Sequence, residues 1–180
     1  IQVQRGLGSS KLAVSSVGGT INVVTKTSQN PEGGVIGGTV GNDGYVKTLA
    51  SYSSGILDNG LSASLLLSRT GGNMYADGTK FEGYNYFLGL GYTAGDHNLE
   101  FMVTGAPQWH HQRSRAVSIE NQIEYGAGDG EPNRRYNEDW GYLNGEEFSF
   151  RRNFYHKPVI SLSWTWDVNS KTTLQTNAYA

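Results

Sequence analysis

One ten-residue run constrains this chain more than any other feature. From Tyr84 to Thr93, the residues Tyr84, Tyr86, Leu88, Leu90 and Tyr92 alternate with Asn85, Phe87, Gly89, Gly91 and Thr93. Successive side chains of a strand point to opposite faces of its sheet. One face of this strand is therefore apolar along its whole length, with Tyr at both ends. The other face is small or polar apart from Phe87. At ~3.3 Å per residue the run spans roughly 30 Å, or about 21 Å across a bilayer at a tilt of about 45°, close to the ~25 Å apolar band of a transmembrane barrel. A strand of a soluble sandwich alternates in the same way, so this run alone leaves both architectures open.

Further strands extend the pattern. Leu61, Ala63, Leu65 and Leu67 alternate with Ser62, Ser64, Leu66 and Ser68. Leu99, Phe101 and Val103 alternate with Glu100, Met102 and Thr104, and Ile160, Leu162, Trp164 and Trp166 with Ser161, Ser163, Thr165 and Asp167. Weaker strands are expected over 35–41, 44–53 and 172–180. Trp or Tyr recurs at the strand rims, which a soluble core seldom requires and an interfacial girdle does. Gly89 and Gly91 are expected to face the lumen, where the lack of a side chain admits another backbone. Relief of sheet curvature is the other reading of the same glycines.

The connections alternate in length. Those at 54–60, 94–98 and 168–171 are short and carry turn residues, and so does 41–44; those at 71–82 and 107–157 are long. Bacterial up-and-down barrels pair short periplasmic turns with longer outer loops. A first strand starting at the periplasm puts 71–82 and 107–157 outside, and a compact soluble domain rarely holds a connection of such length. Of the 30 Asp, Glu, Lys and Arg residues, 15 fall in 107–157, with three of the four His. The expected lipid faces carry almost no charge.

Composition removes other classes. Gly is 25 of 180 residues, about 14% against a usual ~7%. Tyr and Trp are abundant, so this is an all-β profile and not a disordered Gly-rich chain. The net charge of −2 gives no field for nucleic acid. Absence of Cys excludes disulfides, thiolate metal sites and thiol nucleophiles. No run of 18 apolar residues marks a transmembrane helix. A mean hydropathy of −0.47 does not oppose a barrel, because only every second strand residue meets lipid. The chain opens and closes within apolar alternations and reads as an internal fragment.

Residues 1–30 differ in character. Ile1 to Arg5 and Thr20 to Lys26 read as strands, Gly6-Leu7-Gly8 as a turn, and Ser9 to Val17 as one or two helical turns capped by Ser9 or Ser10. Ser28 to Gly34 reads as a linker.

Val3-Gln4-Arg5-Gly6-Leu7-Gly8-Ser9, followed by Val17-Gly18-Gly19-Thr20-Ile21-Asn22-Val23-Val24-Thr25-Lys26, resembles the end of the plug domain of TonB-dependent outer-membrane receptors. Leu7 stands where the family usually has Pro, and Leu12-Ala13 where it usually has Tyr-Gly. The segments Thr104 to His110 and Trp140 to Gly145 look like parts of Bacteroidetes-type members. The motif residues are Arg5, Gly6, Gly18, Gly19 and Asn22. The resemblance implies that 1–30 ends a small α/β plug and that 31–180 supplies about seven strands of a 22-stranded antiparallel barrel. It further implies active import in the outer membrane of a Gram-negative bacterium, powered by the TonB–ExbB–ExbD complex through a segment not in this sequence. Outer-membrane lipid, a small-molecule ligand and a surface lipoprotein lid are the other implied partners. The plug end lacks the wording of glycan-type receptors, which favours a ferric siderophore or similar iron chelate. Glycan, peptide and cobalamin import are the alternatives, and a passive porin or surface adhesin is the reading of a different class.

No catalytic set, cofactor or metal is expected. His110-His111 are adjacent and point apart on an extended chain, the loop acids sit beside Arg, Gly6-Leu7-Gly8 lacks a phosphate-loop context, and Ser15-Ser16 lack a nucleophile elbow. Ligand contact is expected in 107–157, from Trp109, His110, Arg113, Arg134, Arg135, Tyr136, Trp140 and Tyr142. Arg forks suit anionic oxygens, and Trp or Tyr faces suit sugars and ring systems. Trp109 and Arg113 rank first, being nearest the strand that ends at Ala106. Pairing of these Arg with the eight carboxylates of the same loop is the competing expectation.

Overall fold

The computed structural model of the chain describes residues 2–5, 8–9, 15–16, 18–22 and 25–180. At the start, β1 (Gln2–Arg5), β2 (Gly8–Ser9), β3 (Ser15–Ser16) and β4 (Gly19–Asn22) form two small antiparallel ladders. β1 pairs with β4, placing Arg5 opposite Gly19 and Gln2 opposite Asn22, and β2 pairs with β3. The expected helical turns over Ser9 to Val17 are thus corrected at Ser9 and Ser15-Ser16, which are extended and paired. Ser competes poorly for helix because its hydroxyl serves other backbone geometries. Ile1, Gly6, Leu7, Ser10 to Val14, Val17, Val23 and Val24 lie outside the described residues.

The body of the molecule is an antiparallel meander. β5 (Gly33–Val40), β6 (Val46–Ile56), β7 (Leu61–Asn73), β8 (Lys80–Ala94) and β9 (His97–Gly105) follow one another. The long connection then holds β10 (Gln108–His111), α1 (Ile119–Glu124), β11 (Trp140–Leu143), β12 (Glu146–Ser149) and β13 (Arg152–Tyr155). β14 (Val159–Asn169) and β15 (Thr172–Tyr179) complete the sheet. Its spatial order is β5-β6-β7-β8-β9-β14-β15, an open sheet with β5 and β15 at the edges. All seven expected strands are present, and the turns alternate between the two ends of the sheet.

Two expectations about the long connections change. β7 and β8 pair as far as Asn73 opposite Lys80, so the free connection is only 74–79. β10 pairs with the outer part of β8, placing Trp109 opposite Glu82, and β13 pairs with β10. The sheet therefore continues past β9 and β14 into the segment read as loop.

The register fixes which residues share a face. Tyr52, Leu65, Leu88, Val103 and Ile160 form one row across five strands, and Ala63, Leu90, Phe101 and Leu162 form the next. This face is apolar and open: Ile36 is 91% exposed, Leu65 47%, Leu90 44% and Leu162 44%. The opposite face carries Ser53, Ser62, Ser64, Gly89, Gly91 and Glu100, and these are buried. Among the described residues Ala76 is the one buried hydrophobic side chain. The sheet is inverted relative to a soluble domain, with its polar side covered in this patch and its apolar side bare. Among the described residues no helix is long and apolar enough to cross a membrane, which says nothing of strands.

Candidate functional site

The covered polar face is built around Glu100. Its carboxylate on β9 accepts from the backbone N–H of Thr27 at 2.9 Å and of Ser28 at 3.2 Å, and from the Ser28 hydroxyl. A buried carboxylate is costly unless hydrogen bonds replace its water, and these donors do so. The result is a 3-10 turn, Thr27–Gln29, seated on the sheet where a linker was expected. Asn30 donates to Ser64 Oγ at 3.1 Å, and Asn98 to Ser28 Oγ at 3.3 Å.

Gly89 and Gly91 make room for this turn. A Cβ at Gly89 would stand 2.1 Å from Thr27 Oγ1. At Gly91 it would stand 2.4 Å from Ser62 Oγ and 3.1 Å from the Ser28 nitrogen. Close approach of the preceding segment therefore explains both glycines. Neither has the positive φ that would make backbone freedom their reason.

The second constellation lies at the end of the sheet that carries 74–79 and 106–158. Arg135 joins three connections there. Its Nη2 donates to Asp43 at 2.6 Å, its Nε donates to Asp77 at 3.4 Å, and its guanidinium lies 5.3 Å from the Tyr75 ring. Asn137, 1% exposed, donates to the carbonyls of Asp77 at 2.9 Å and Gln112 at 3.4 Å. Trp140 covers Gly78 so closely that a Cβ there would meet its ring at 1.9 Å, and its indole N–H donates to Glu147 at 2.9 Å. Lys80 also donates to Glu147.

Two carboxylates in this assembly are shifted. Burial pushes Asp139 up, but the Ser114 hydroxyl and N–H, with Arg151 and Arg115 nearby, outweigh it and hold the group below its usual range. The Lys80 hydrogen bond, then that of Trp140, holds Glu147 low against the opposing effect of burial. Burial raises the phenol of Tyr136, which stacks on Tyr125 at 5.2 Å, and Tyr125 and two nearby glutamates add to the rise.

The expected contact residues do not gather in one pocket. His110 sits opposite Phe81 on the polar side, with Gln112 Nε2 and His110 Nε2 3.2 Å apart. Trp109 lies on the apolar side, where its indole N–H donates to Glu82 at 3.3 Å and Arg152 stacks 4.4 Å above its ring. Arg113 donates to the carbonyls of Arg134 at 3.0 Å and Tyr136 at 3.4 Å. Arg134 is exposed, and among the described residues its side chain makes no hydrogen bond or ion pair. Tyr142 is 70% exposed. Arg115, Arg135 and Arg151 have carboxylate partners, whereas Arg113, Arg134 and Arg152 have none among the described residues. Pairing within the loop thus accounts for part of its positive charge, since Arg135 reaches Asp43 and Asp77 outside it.

Sequence reasoning missed Glu100 and Asn137, and it counted Arg152 among the arginines of the loop without singling it out. Only Glu100 carried a signal, as an acid set between Leu99 and Phe101 in an apolar alternation. Among the described residues no group of three His, Asp or Glu is arranged to hold a metal ion. No family model matches this chain, and neither a curated protein nor a solved structure does.

Proposed function

We propose that the chain is part of a TonB-dependent importer in the outer membrane of a Gram-negative bacterium, taking up a ferric siderophore or similar iron chelate. The single observation that carries the membrane part is the inverted sheet. A continuous apolar face bounded by Tyr and Trp is bare, while the opposite face is buried at Ser53, Ser62, Ser64, Gly89, Gly91 and Glu100, around the turn seated there. In water such a patch far exceeds what a monomer tolerates. In a bilayer it is the lipid-facing wall, and the strands belong to a closed barrel of 22 in the family reading.

Transport, as distinct from leakage, is supported by the segment seated on the polar face. A wide barrel leaks unless something fills it. Thr27 and Ser28, which directly follow the plug-like motif in sequence, are held on that face by Glu100. A removable seal needs work from the inner membrane, which is the part TonB–ExbB–ExbD plays. The chelate preference rests on Arg113 and Arg134, whose lack of carboxylate partners among the described residues suits an anionic ligand. A surface lipoprotein lid over 106–158 belongs to the same reading.

Uptake of a radiolabelled ferric chelate by cells carrying the full-length protein tests this. Uptake should saturate and should stop when TonB is deleted or the proton gradient is collapsed. Non-saturating uptake indifferent to TonB would replace the importer by a porin. Saturable TonB-dependent uptake of cobalamin, a peptide or a glycan would keep the importer and replace the substrate.

A further inference from the structure

The apolar face does not end at Tyr84. Beyond it on the same face stand Glu82, Trp109 and Phe154, opposite one another on β8, β10 and β13. They lie about 7 Å further along the strand, two residues at ~3.3 Å each. Here the short connections between β9 and β10 and between β13 and β14 border a cleft of about 310 Å³. Its lining includes Glu82, Tyr84, Pro107, Trp109, Phe154 and His156.

The charges around this cleft are unequal. Glu82 is fully engaged: it accepts from Arg69 Nε at 2.7 Å, from the Tyr84 hydroxyl at 2.8 Å and from the Trp109 indole at 3.3 Å. Arg152 has no carboxylate partner among the described residues. Its guanidinium lies 4.4 Å from the Trp109 ring and 4.6 Å from the Phe154 ring. Lys157 sits 5.5 Å from the Tyr155 ring, also without a carboxylate. Ring contacts orient a cation without consuming its N–H donors. Arg152 and Lys157 do not line the cleft but stand at its edge, on the Trp109, Phe154 and Tyr155 rings that do, so held, unspent donors border the cleft beyond an apolar wall.

We propose that this cleft binds the phosphate of an anionic membrane lipid whose acyl chains lie along Leu88, Leu90 and their row neighbours. The occupant follows from continuity and charge. A molecule with its chains on the apolar face brings its headgroup to the level of Arg152, and the planar guanidinium matches a phosphate with two parallel hydrogen bonds. A free soluble anion would gain nothing from the adjoining apolar wall. The inference rests on the membrane reading above but not on TonB coupling or on the transported ligand.

The full-length protein in mixed micelles tests it, with retained lipid counted by native mass spectrometry. Phosphatidylglycerol should be retained in preference to phosphatidylcholine of the same chains. Arg152→Gln should weaken that retention about fivefold, the contribution of one basic residue near an anionic surface. Lys171→Gln, on a turn at the far end of the sheet, should leave it unchanged. Heat-modifiable mobility on gels checks that each variant is folded. Equal retention of the two lipids by the unaltered protein overturns the proposal without any variant. So does glycerol 3-phosphate binding as tightly as the lipid, which would make the cleft a site for a soluble anion. Acyl chains brominated near the glycerol backbone should quench the fluorescence of the rim residues Trp164 and Trp166. Failure there sinks the membrane reading, whereas quenching with no lipid preference sinks only the headgroup site.

Discussion

Glu100 puts a carboxylate where a covered sheet face would ordinarily carry an aliphatic side chain, and its partners are two backbone amides 72 and 73 residues away in sequence. Hydrogen bonds to a charged group contribute about 1.5–3 kcal/mol each, and an amide left buried and unpaired costs a similar amount. Glu100→Ala should therefore destabilise the seating of 25–30 by a few kcal/mol, measured as faster proteolysis at Lys26 with the sheet intact. Glu100→Gln keeps one acceptor and should fall between the two. Protection at Lys26 unchanged in both variants would show that the turn is held by other contacts. Gly91 makes the complementary case. Gly91→Val should unseat the same turn by steric conflict with Ser62 and Ser28 and raise passage of large antibiotics into cells. Normal antibiotic resistance together with normal transport would count against a sealing role for the segment.

At the scale of elements, the outer connections form a packed assembly in which Gly78 and Trp140 meet face to face. Gly78 has φ +66°, a region that favours glycine, and its missing side chain is the space the indole occupies. Gly78→Ala should expel Trp140 from this seat, seen as a red shift of tryptophan emission that Trp140→Phe abolishes. The assembly should also respond to acid. Asp139 and Glu147 have depressed folded-state pKa values, so they stabilise it fully above the ordinary carboxylate range of about 4. That contribution is lost as pH falls through their folded values. Pepsin cleavage within 107–157 should accordingly accelerate at the acid end, and Asp139→Asn should flatten the dependence. The strands of the meander were legible because period-two alternation is local and each strand carries it. Their outer extensions were not, since Gly71-Gly72-Asn73 and Lys80 to Gly83 show no apolar alternation and are set by pairing and by partners far along the chain, such as Glu147 for Lys80. The 3-10 turn at Thr27–Gln29 reads as linker because its polar residues are buried only by a partner far along the chain. Asn137 gives no sequence signal, as its burial depends on two separate connections closing over it.

The body of the molecule is one sheet with two unlike faces, and the contrast between them yields the most direct test of what surrounds it. Leu90 and Asn85 lie on the same strand, five residues apart, on opposite faces. Leu90 sits in the row Ala63, Leu90, Phe101 and Leu162, near the middle of the bare face, while Asn85 donates to Ser68 Oγ on the polar side. If lipid covers the bare face, Arg at position 90 must take a guanidinium to mid-bilayer depth, at a cost of about 2–4 kcal/mol. Asn85→Arg places the same group toward the lumen and should cost far less. Folding of the full-length protein into bilayers, followed by denaturant titration, should separate the two variants by that margin. A water-exposed or protein-covered face predicts a different order. In water, Leu90→Arg would break up an aggregation-prone patch and raise solubility without detergent. Under a soluble partner it would abolish binding to that partner and leave insertion irrelevant. A Leu90→Arg variant that is soluble, folded and lipid-indifferent would sink the membrane reading, and the importer with it.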